Sequence, residues 1–416
     1  MSTIDDNSAY IDGIAQADRV DFLSEEQQGA IEFIRAFMSD PKRKHAVIGG
    51  VAGSGKSTVI PYIMQEFGGE DRVRVCAPTG KAALVLKRKG ILHAFTIHSF
   101  LYEYRTKVNK DGTVEFIRYE KPYTAFMGIR LVIVDEASMV PREFFDFMHK
   151  LPFKTLYIGD HFQLPPVGDD FNIMLNPGYR METVLRQNAG NPIVKLAEMA
   201  RHGQPIPLGL YGDSKKTLSF RPEELLEYDE VLVWTNKMRK TVNDLVRSML
   251  GHPVGRPVVE DKVICRTNNV GRQVYNGQIF RLMSQPFQRT QHGWDVTMMD
   301  DVVYNDPYLM AASDGNTELT AAFGIERDEM EMKHGRMMEK GIVKGQKRKL
   351  FQLECLLDWG YAITVHSAQG SSWPRVAVIE EPRMKYAMDK EEYNRFMYTA
   401  ITRAEESVTI YSIGKI

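Results

Sequence analysis

Gly50-Val-Ala-Gly-Ser-Gly-Lys56-Ser57 lies between an apolar run and a helix-like stretch. This is the GxxxxGK[ST] spacing in the strand–loop–helix setting that binds phosphates. Glycines let backbone N–H groups wrap the phosphate oxygens, and the helix start adds a favourable dipole. Gly50, Gly53, Ser54, Gly55, Lys56, Ser57 and Thr58 therefore form the candidate loop, with Lys56 on the β/γ-phosphates and Ser57 as a Mg²⁺ ligand. Pro61, early in the next helix, is expected to kink it. The second half of such a site is Leu131-Val-Ile-Val-Asp135-Glu136, an apolar strand delivering two carboxylates. Asp135 suits Mg²⁺, and Glu136 suits orienting and deprotonating a water. Together these predict a nucleoside triphosphate hydrolase, with ATP as the default substrate and Mg²⁺ as the cofactor.

Three further segments bear on what the hydrolysis drives. Gln163, after the run KTLYIGD, can report on a γ-phosphate from a strand end, though a structural loop explains it equally well. Arg403, in Tyr398-Thr-Ala-Ile-Thr-Arg-Ala404, and Arg186, in ETVLRQ, can each stabilise transition-state charge; a lone arginine is more often a surface or ion-pair residue. Ala77-Pro78-Thr79-Gly80-Lys81 and Thr96-Ile97-His98-Ser99-Phe100 carry small hydrogen-bonding groups suited to a nucleic-acid backbone, though each alone reads as a tight turn.

The elements that must hold these groups are legible. LSEEQQGAIEFIRAFM predicts a helix capped by Ser24, with Gln27 three positions on. HAVIGG, VRVCAP, LVIVDE and KTLYIGD are buried-strand runs alternating with helical stretches, which predicts a parallel sheet covered on both faces. A second series begins near EVLVWTNKM (230–238) and resumes with RVAVIEE and SVTIYSI. Between about 285 and 354 the pattern changes to strand-like alternation and a charged, methionine-rich helical stretch with Met330, Met332, Met337 and Met338, read as an insertion. The 416 residues are 43% apolar and 26% charged with net charge -1, which excludes disorder by composition and a globally basic binder, but not a local basic channel. Three scattered cysteines argue against a disulfide framework and for a reducing compartment. No run approaches the ~18 apolar residues of a membrane span, and the N-terminus lacks a signal pattern, so a cytoplasmic protein is expected. Trp234 and Trp373 suit base stacking or burial equally well.

APTGKAA, TIHSF, VDEAS, GDHFQLPPV, ETVLRQ, ITVHSAQGSSW and YTAITRA occur in the order of the superfamily 1 helicase motifs. The chain from about 23 to 416 resembles that superfamily, and APTGKAA with TIHSF resembles its 5′→3′ RecD/Dda branch. The resemblance implies an α/β fold of two RecA-like domains, with a small β-hairpin insertion in the first and a small, mainly β, SH3-like insertion in the second. The implied boundaries are an extension at 1–22, domain 1 at 23–187 with a hairpin at 101–121, domain 2 at 188–284 and 355–416, and the insertion at 285–354. It further implies an ATPase site of Lys56, Ser57, Asp135, Glu136, Gln163, Arg186 and Arg403, with Gln27 reading adenine. Pro78, Thr79, His98, Thr364 and His366 fall in DNA-contacting motifs, Gln369 and Gly370 bridge the DNA and ATP sites, and Asn236 is a weaker DNA candidate. The hairpin, with its Asp111-Gly112 turn, matches the duplex-splitting pin, and Phe116 is the residue to stack on the junction. Asn276-Gly277-Gln278 carries glutamine where the family often has an acidic residue. Implied partners are single-stranded and forked duplex DNA and single-strand-binding or replisome proteins, in phage or bacterial replication, recombination or repair, in the host cytoplasm if viral. A P-loop switch without DNA stimulation, or a protein-stripping translocase, remain alternatives; no carboxylate-rich nuclease domain is visible.

Overall fold

The computed structural model describes residues 23–108, 114–166, 171–185, 191–269, 272–288, 293–304, 316–323 and 355–413. The chain divides into two compact units: the first holds the residues up to Lys107 and from Phe116 to Val194, the second those from Lys195 on together with Val108–Glu115.

The first unit opens with α1 (Glu25–Ser39), whose N-terminus is closed by a capping box: Gln27 N–H donates to Ser24 Oγ and Ser24 N–H to Gln27 Oε1. There follow β1 (His45–Gly50), α2 (Val59–Glu66), β2 (Val73–Ala77), α3 (Gly80–Arg88), β3 (Ala94–Thr96), α4 (Ile97–Leu101), β4 (Tyr102–Val108), β5 (Val114–Glu120), β6 (Leu131–Val134), α5 (Arg142–Met148), β7 (Lys154–Gly159) and β8 (Tyr179–Met181). One sheet has the order β3-β2-β6-β7-β1-β8, and every pairing in it is parallel. Alternation along the strands explains why these runs are apolar throughout. Ala46 and Ile48 face a core with α1, α2 and α3, while Val47 faces another with α4 and α5. Pro61 does not kink its helix. A 3₁₀ turn at Lys56–Thr58 precedes α2, so Pro61 falls in the first turn, where its missing N–H breaks no helical bond. Strands β4 and β5 form a separate two-stranded sheet with a short connection between them.

The second unit contains α6 (Pro192–Arg201, which begins just before the changeover), β9 (Gly209–Tyr211), β10 (Ser214–Thr217), β11 (Glu230–Val233), α7 (Asn236–Met249), β12 (Lys262–Cys265), β13 (Ile279–Leu282), β14 (Phe287–Gln288), β15 (Gly293–Asp300), β16 (Thr317–Phe323), β17 (Cys355–Trp359), β18 (Ala362–Thr364), α8 (Val365–Ala368), β19 (Trp373–Glu380), α9 (Lys390–Ile401) and β20 (Ala404–Ser412). Its main sheet runs β18-β11-β19-β20-β10-β9, parallel except for the edge pair β9–β10. Strands β12, β13, β15, β16 and β17 close into a ring, because β13 pairs with both β12 and β15. This small barrel holds its own core, including Val263, Phe280, Trp294, Leu319, Leu357 and Trp359.

The barrel takes in strands on both sides of the 285–354 segment that the sequence pattern set apart. KVIC at 262–265 and CLLDW at 355–359 fall inside the bounds implied for domain 2, but their ladder partners lie in the barrel. The four methionines at 330–338 lie outside the described residues.

Candidate nucleotide site and nucleic-acid-facing edges

Parallel strands bring the first unit's candidate residues to one edge. Register pairs Gly49 with Gly159, Cys76 with Val134 and Ala77 with Thr96, so the residues that follow these strands share the carboxyl end of the sheet. The loop after β1 folds tightly. A Cβ on Gly50 would come within 2.7 Å of Ser54 Oγ, and Gly55 has φ 77° with Gln27 Nε2 only 2.4 Å from where its Cβ would stand. Lys56 Nζ donates to the carbonyls of Gly50 and Val51 at 2.7 and 2.8 Å. Gln27 is buried and donates to the Gly55 carbonyl at 3.3 Å, so the helix cap and the phosphate loop are tied together.

Ser57 Oγ donates to Asp135 Oδ2 at 3.3 Å. Burial pushes the Asp135 carboxyl up; the Glu136 N–H, Lys89, Lys56 and the Ser57 hydroxyl oppose that. A hydroxyl and a buried carboxylate converging beside an ammonium are hard oxygen donors of the kind Mg²⁺ takes. Ser54 Oγ is buried with no hydrogen-bond partner among the described residues, as a loop built around a phosphate predicts. These residues fit a Mg²⁺-nucleotide.

Glu136 sits in the left-handed region, φ 53° and ψ 40°. Side chains with a Cβ occupy this region at a cost, and such strain concentrates at working sites. It starts the turn Ala137–Met139, while its N–H donates to Asp135 Oδ1 at 2.9 Å. Gln163 is buried, and its Nε2 lies 3.5 Å from Asp160 Oδ2, in the turn that follows β7. His161 packs against β1 where Gly49 leaves room: a Cβ there would meet its Nδ1 at 2.8 Å. Arg186 lies outside the described residues. Leu185, just before it, donates its N–H to the Gly53 carbonyl at 2.9 Å.

The polynucleotide candidates are helix caps. Thr79 Oγ1 accepts from Ala82 N–H and caps α3, with Pro78 half-buried beside it. Thr96 Oγ1 accepts from Ser99 N–H and caps α4, leaving His98 exposed with its ring edge-on to Phe144 at 4.5 Å. The β4–β5 sheet is rooted here: Lys121 Nζ donates to the Ser99 carbonyl at 2.7 Å, and Arg118 lies 4.4 Å over the Tyr102 ring. Phe116 falls in β5, and the structure describes its backbone only. In the second unit Thr364 caps α8 through Ser367 N–H, so Thr-x-His-Ser recurs as the same strand-end cap in both units.

The second unit separates its candidates. Val233 pairs with Thr364, which puts Asn236, exposed at the start of α7, near Thr364 and His366 at the carboxyl ends of β11 and β18. Arg403 and Gln369-Gly370 precede β20 and β19, at the opposite edge. Arg403 is no surface residue. It is buried and donates to the carbonyls of Thr399 and Ser371 and to Thr402 Oγ1, each at 3.1 Å. Trp373 is buried and Trp234 half-buried, so Trp373 is a packing residue. One residue was passed over in the sequence. Glu381 accepts from the N–H groups of Trp234 and Thr235 and from Thr235 Oγ1, anchoring α7. The signal was an acidic pair ending an apolar strand, the same pattern as Asp135-Glu136.

A phosphate loop, a strand-end carboxylate pair and two parallel sheets define a P-loop nucleoside triphosphatase. The family model described as AAA domain matches residues 22–217, and that described as UvrD-like helicase C-terminal domain matches residues 360–411. The chain is 26% identical to the ATP-dependent DNA helicase dda of Enterobacteria phage T4, over 93% of this chain and 99% of that protein. It is 26% identical to the ATP-dependent RecD2 DNA helicase of Deinococcus radiodurans, over 92% of this chain and 48% of the relative. Bacteroides Pif1 bound to single-stranded DNA shares the fold, with TM-score 0.54 and 16% identity over 93% of this chain and 92% of that one. Over nearly its whole length the chain is similar to superfamily 1 helicases of the Dda and RecD2 kind, and it is an ATP-dependent DNA helicase. No helix among the described residues is long and apolar enough to cross a membrane.

Proposed function

We propose that this helicase moves 5′→3′ along single-stranded DNA and unwinds forked duplexes, hydrolysing ATP with Mg²⁺ held by Ser57 and Asp135. The observation that carries the reading is the set of threonine-capped strand ends at Thr79, Thr96 and Thr364. Helix starts present backbone N–H groups that suit phosphates and read no base, so binding is sequence-tolerant and weakened by salt. Mg²⁺ would offset charge on the phosphates. Glu136 takes the proton of the attacking water, Lys56 neutralises the β/γ-phosphates, and Gln27 contacts the base. Gln163, Arg186 and Arg403 answer to the γ-phosphate, with Gln369 and Gly370 linking that response to the strand held near Thr364. Such γ-phosphate-dependent contacts exist before hydrolysis and not after, which is what lets a nucleotide shift a conformational equilibrium.

The Dda-like motif order and the near full-length match to the phage enzyme support 5′→3′ movement, and a place in replication, recombination or repair with single-strand-binding or replisome partners. Three free, buried cysteines suit a reducing cytoplasm, the host's if the protein is viral. The test is ATPase rate with and without single-stranded DNA, then forks bearing one tail. A fork with only a 5′ tail should be unwound. Unwinding confined to the 3′-tailed fork would overturn the direction, and an ATPase indifferent to DNA would overturn the motor.

A further inference from the structure

Helix α7 buries a polar stripe. Arg239, Asn243 and Arg247 are spaced by four, share one face and are 3%, 1% and 3% exposed. Helices ordinarily bury apolar residues along such a stripe. What meets this one is the pair of chain crossings into and out of the barrel.

Arg247 grips the entry with a two-pronged pair to Asp261, Nε to Oδ1 and Nη2 to Oδ2, both 3.0 Å. Its guanidinium also lies 3.6 Å over the Trp359 ring at the exit. Asp261 is fully buried and accepts in addition from His252 and the Tyr361 hydroxyl, each at 2.9 Å. Arg239 Nη1 meets Asp358 Oδ2 at 2.6 Å. Asn243 Oδ1 accepts from the N–H groups of Tyr361 and Ala362, and its Nδ2 donates to the Ala362 carbonyl. On the sheet side, Lys262 Nζ pairs with Glu230 at 2.9 Å, both buried.

An inserted domain joined by two single strands swings freely unless something holds the joint. Buried ion pairs add little net stability over apolar packing of the same shape, but each tolerates only a narrow geometry. Glu381 pins the other end of α7 to the main sheet. The helix spans 14 residues, about 21 Å, from the edge that carries Asn236 and Thr364, past the barrel exit at Arg239, to the barrel entry at Arg247.

We propose that α7 is a rigid strut that makes the barrel and the Asn236–Thr364 edge one body, with Arg239, Asn243 and Arg247 as its positioning residues. Displacement at that edge then reaches the barrel undiminished. The mechanical consequence rests on the helicase reading; the rigidity does not.

The native cysteines are buried. Spin labels at Ser284→Cys on the barrel and Tyr386→Cys on the main-sheet side therefore report the distance across the joint by pulsed electron resonance. One narrow distance is expected, unchanged by a non-hydrolysable ATP analogue or by oligo-dT. A second distance, or a shift on adding either, overturns the strut. Arg247→Met should broaden the distribution, leave DNA-stimulated ATPase nearly intact and raise ATP consumed per base pair unwound by about fivefold. Arg247→Lys keeps the charge without the fork and serves if the methionine variant does not fold. A narrow distance and unchanged coupling in the variant overturn the role of Arg247. Failure of the wild type to unwind any fork removes the helicase reading, and the distance measurement still judges the joint.

Discussion

Ser57 Oγ and Asp135 Oδ2 lie 3.3 Å apart although 78 residues separate them in the chain. One closes a loop after β1 and the other follows β6, with β7 between the two strands. The parallel order sets both at the same sheet edge, and a buried carboxylate there is costly unless cations meet it. That contact is where the metal and the phosphates are proposed to converge.

Lys56→Ala should lower ATP hydrolysis by about 10²-fold or more, since a preplaced charge on the β/γ-phosphates is lost. Glu136→Gln should bind ATP and DNA and turn over very slowly. Glu136 adds a second readout, because its φ of 53° suits glycine. Glu136→Gly should also abolish turnover yet raise unfolding stability by up to about 1 kcal/mol, as relief of left-handed strain predicts. Urea unfolding checks this; a glycine variant less stable than Glu136→Gln would show that the conformation is not strained.

Arg403→Ala should keep nucleotide binding and lose DNA-stimulated hydrolysis. The arginine makes three internal hydrogen bonds, so the variant should also lose about 1–3 kcal/mol of stability. Arg403→Lys separates the effects by keeping a cation. Equilibrium nucleotide binding set beside steady-state turnover decides the matter, and normal turnover in both variants would leave Arg403 a purely structural residue.

Phe116→Ala should uncouple motion from strand separation. The β4–β5 sheet carrying Phe116 begins where α4 ends, beside the Thr96 cap. Single-strand-stimulated ATPase should persist while duplex unwinding falls. Equal losses in the two assays would make the hairpin a folding element.

Acid should weaken the fold in a defined window. Burial holds the imidazoles of His45, His161 and His366 below the ordinary value. The unfolded chain therefore binds more protons than the native one below about pH 6.5, and stability falls with pH from there. Glu224, whose carboxylate accepts from Tyr411 and Arg221, lies below its ordinary value, and its contribution is lost only under about pH 4.5. Melting temperature measured from pH 8 to 5.5 should decline over the lower half of that range; a flat profile would mean that these rings protonate without unfolding.

The nucleotide site was legible because its signals are local. Spacing within eight residues marks the phosphate loop, and an apolar run ending in Asp135-Glu136 marks its partner. The caps at Ser24, Thr79, Thr96 and Thr364 are equally local, since each threonine or serine bonds an N–H three residues on. Even the strain at Glu136 belongs to a position that the pattern had already marked.

What the sequence determined by itself was therefore the chemistry, the two parallel sheets and the order of motifs along them. Tertiary structure alone decided which runs pair with which. Lys262–Cys265 and Cys355–Trp359 have the apolar character of main-sheet strands, and only their ladder partners place them in the barrel. It also decided that Arg403 is buried and that Arg239, Asn243 and Arg247 turn inward. A charged stripe on a helix reads as solvated in one dimension. Whether it faces water or a buried carboxylate such as Asp261 depends on residues that the fold brings in from elsewhere, and no local spacing encodes that.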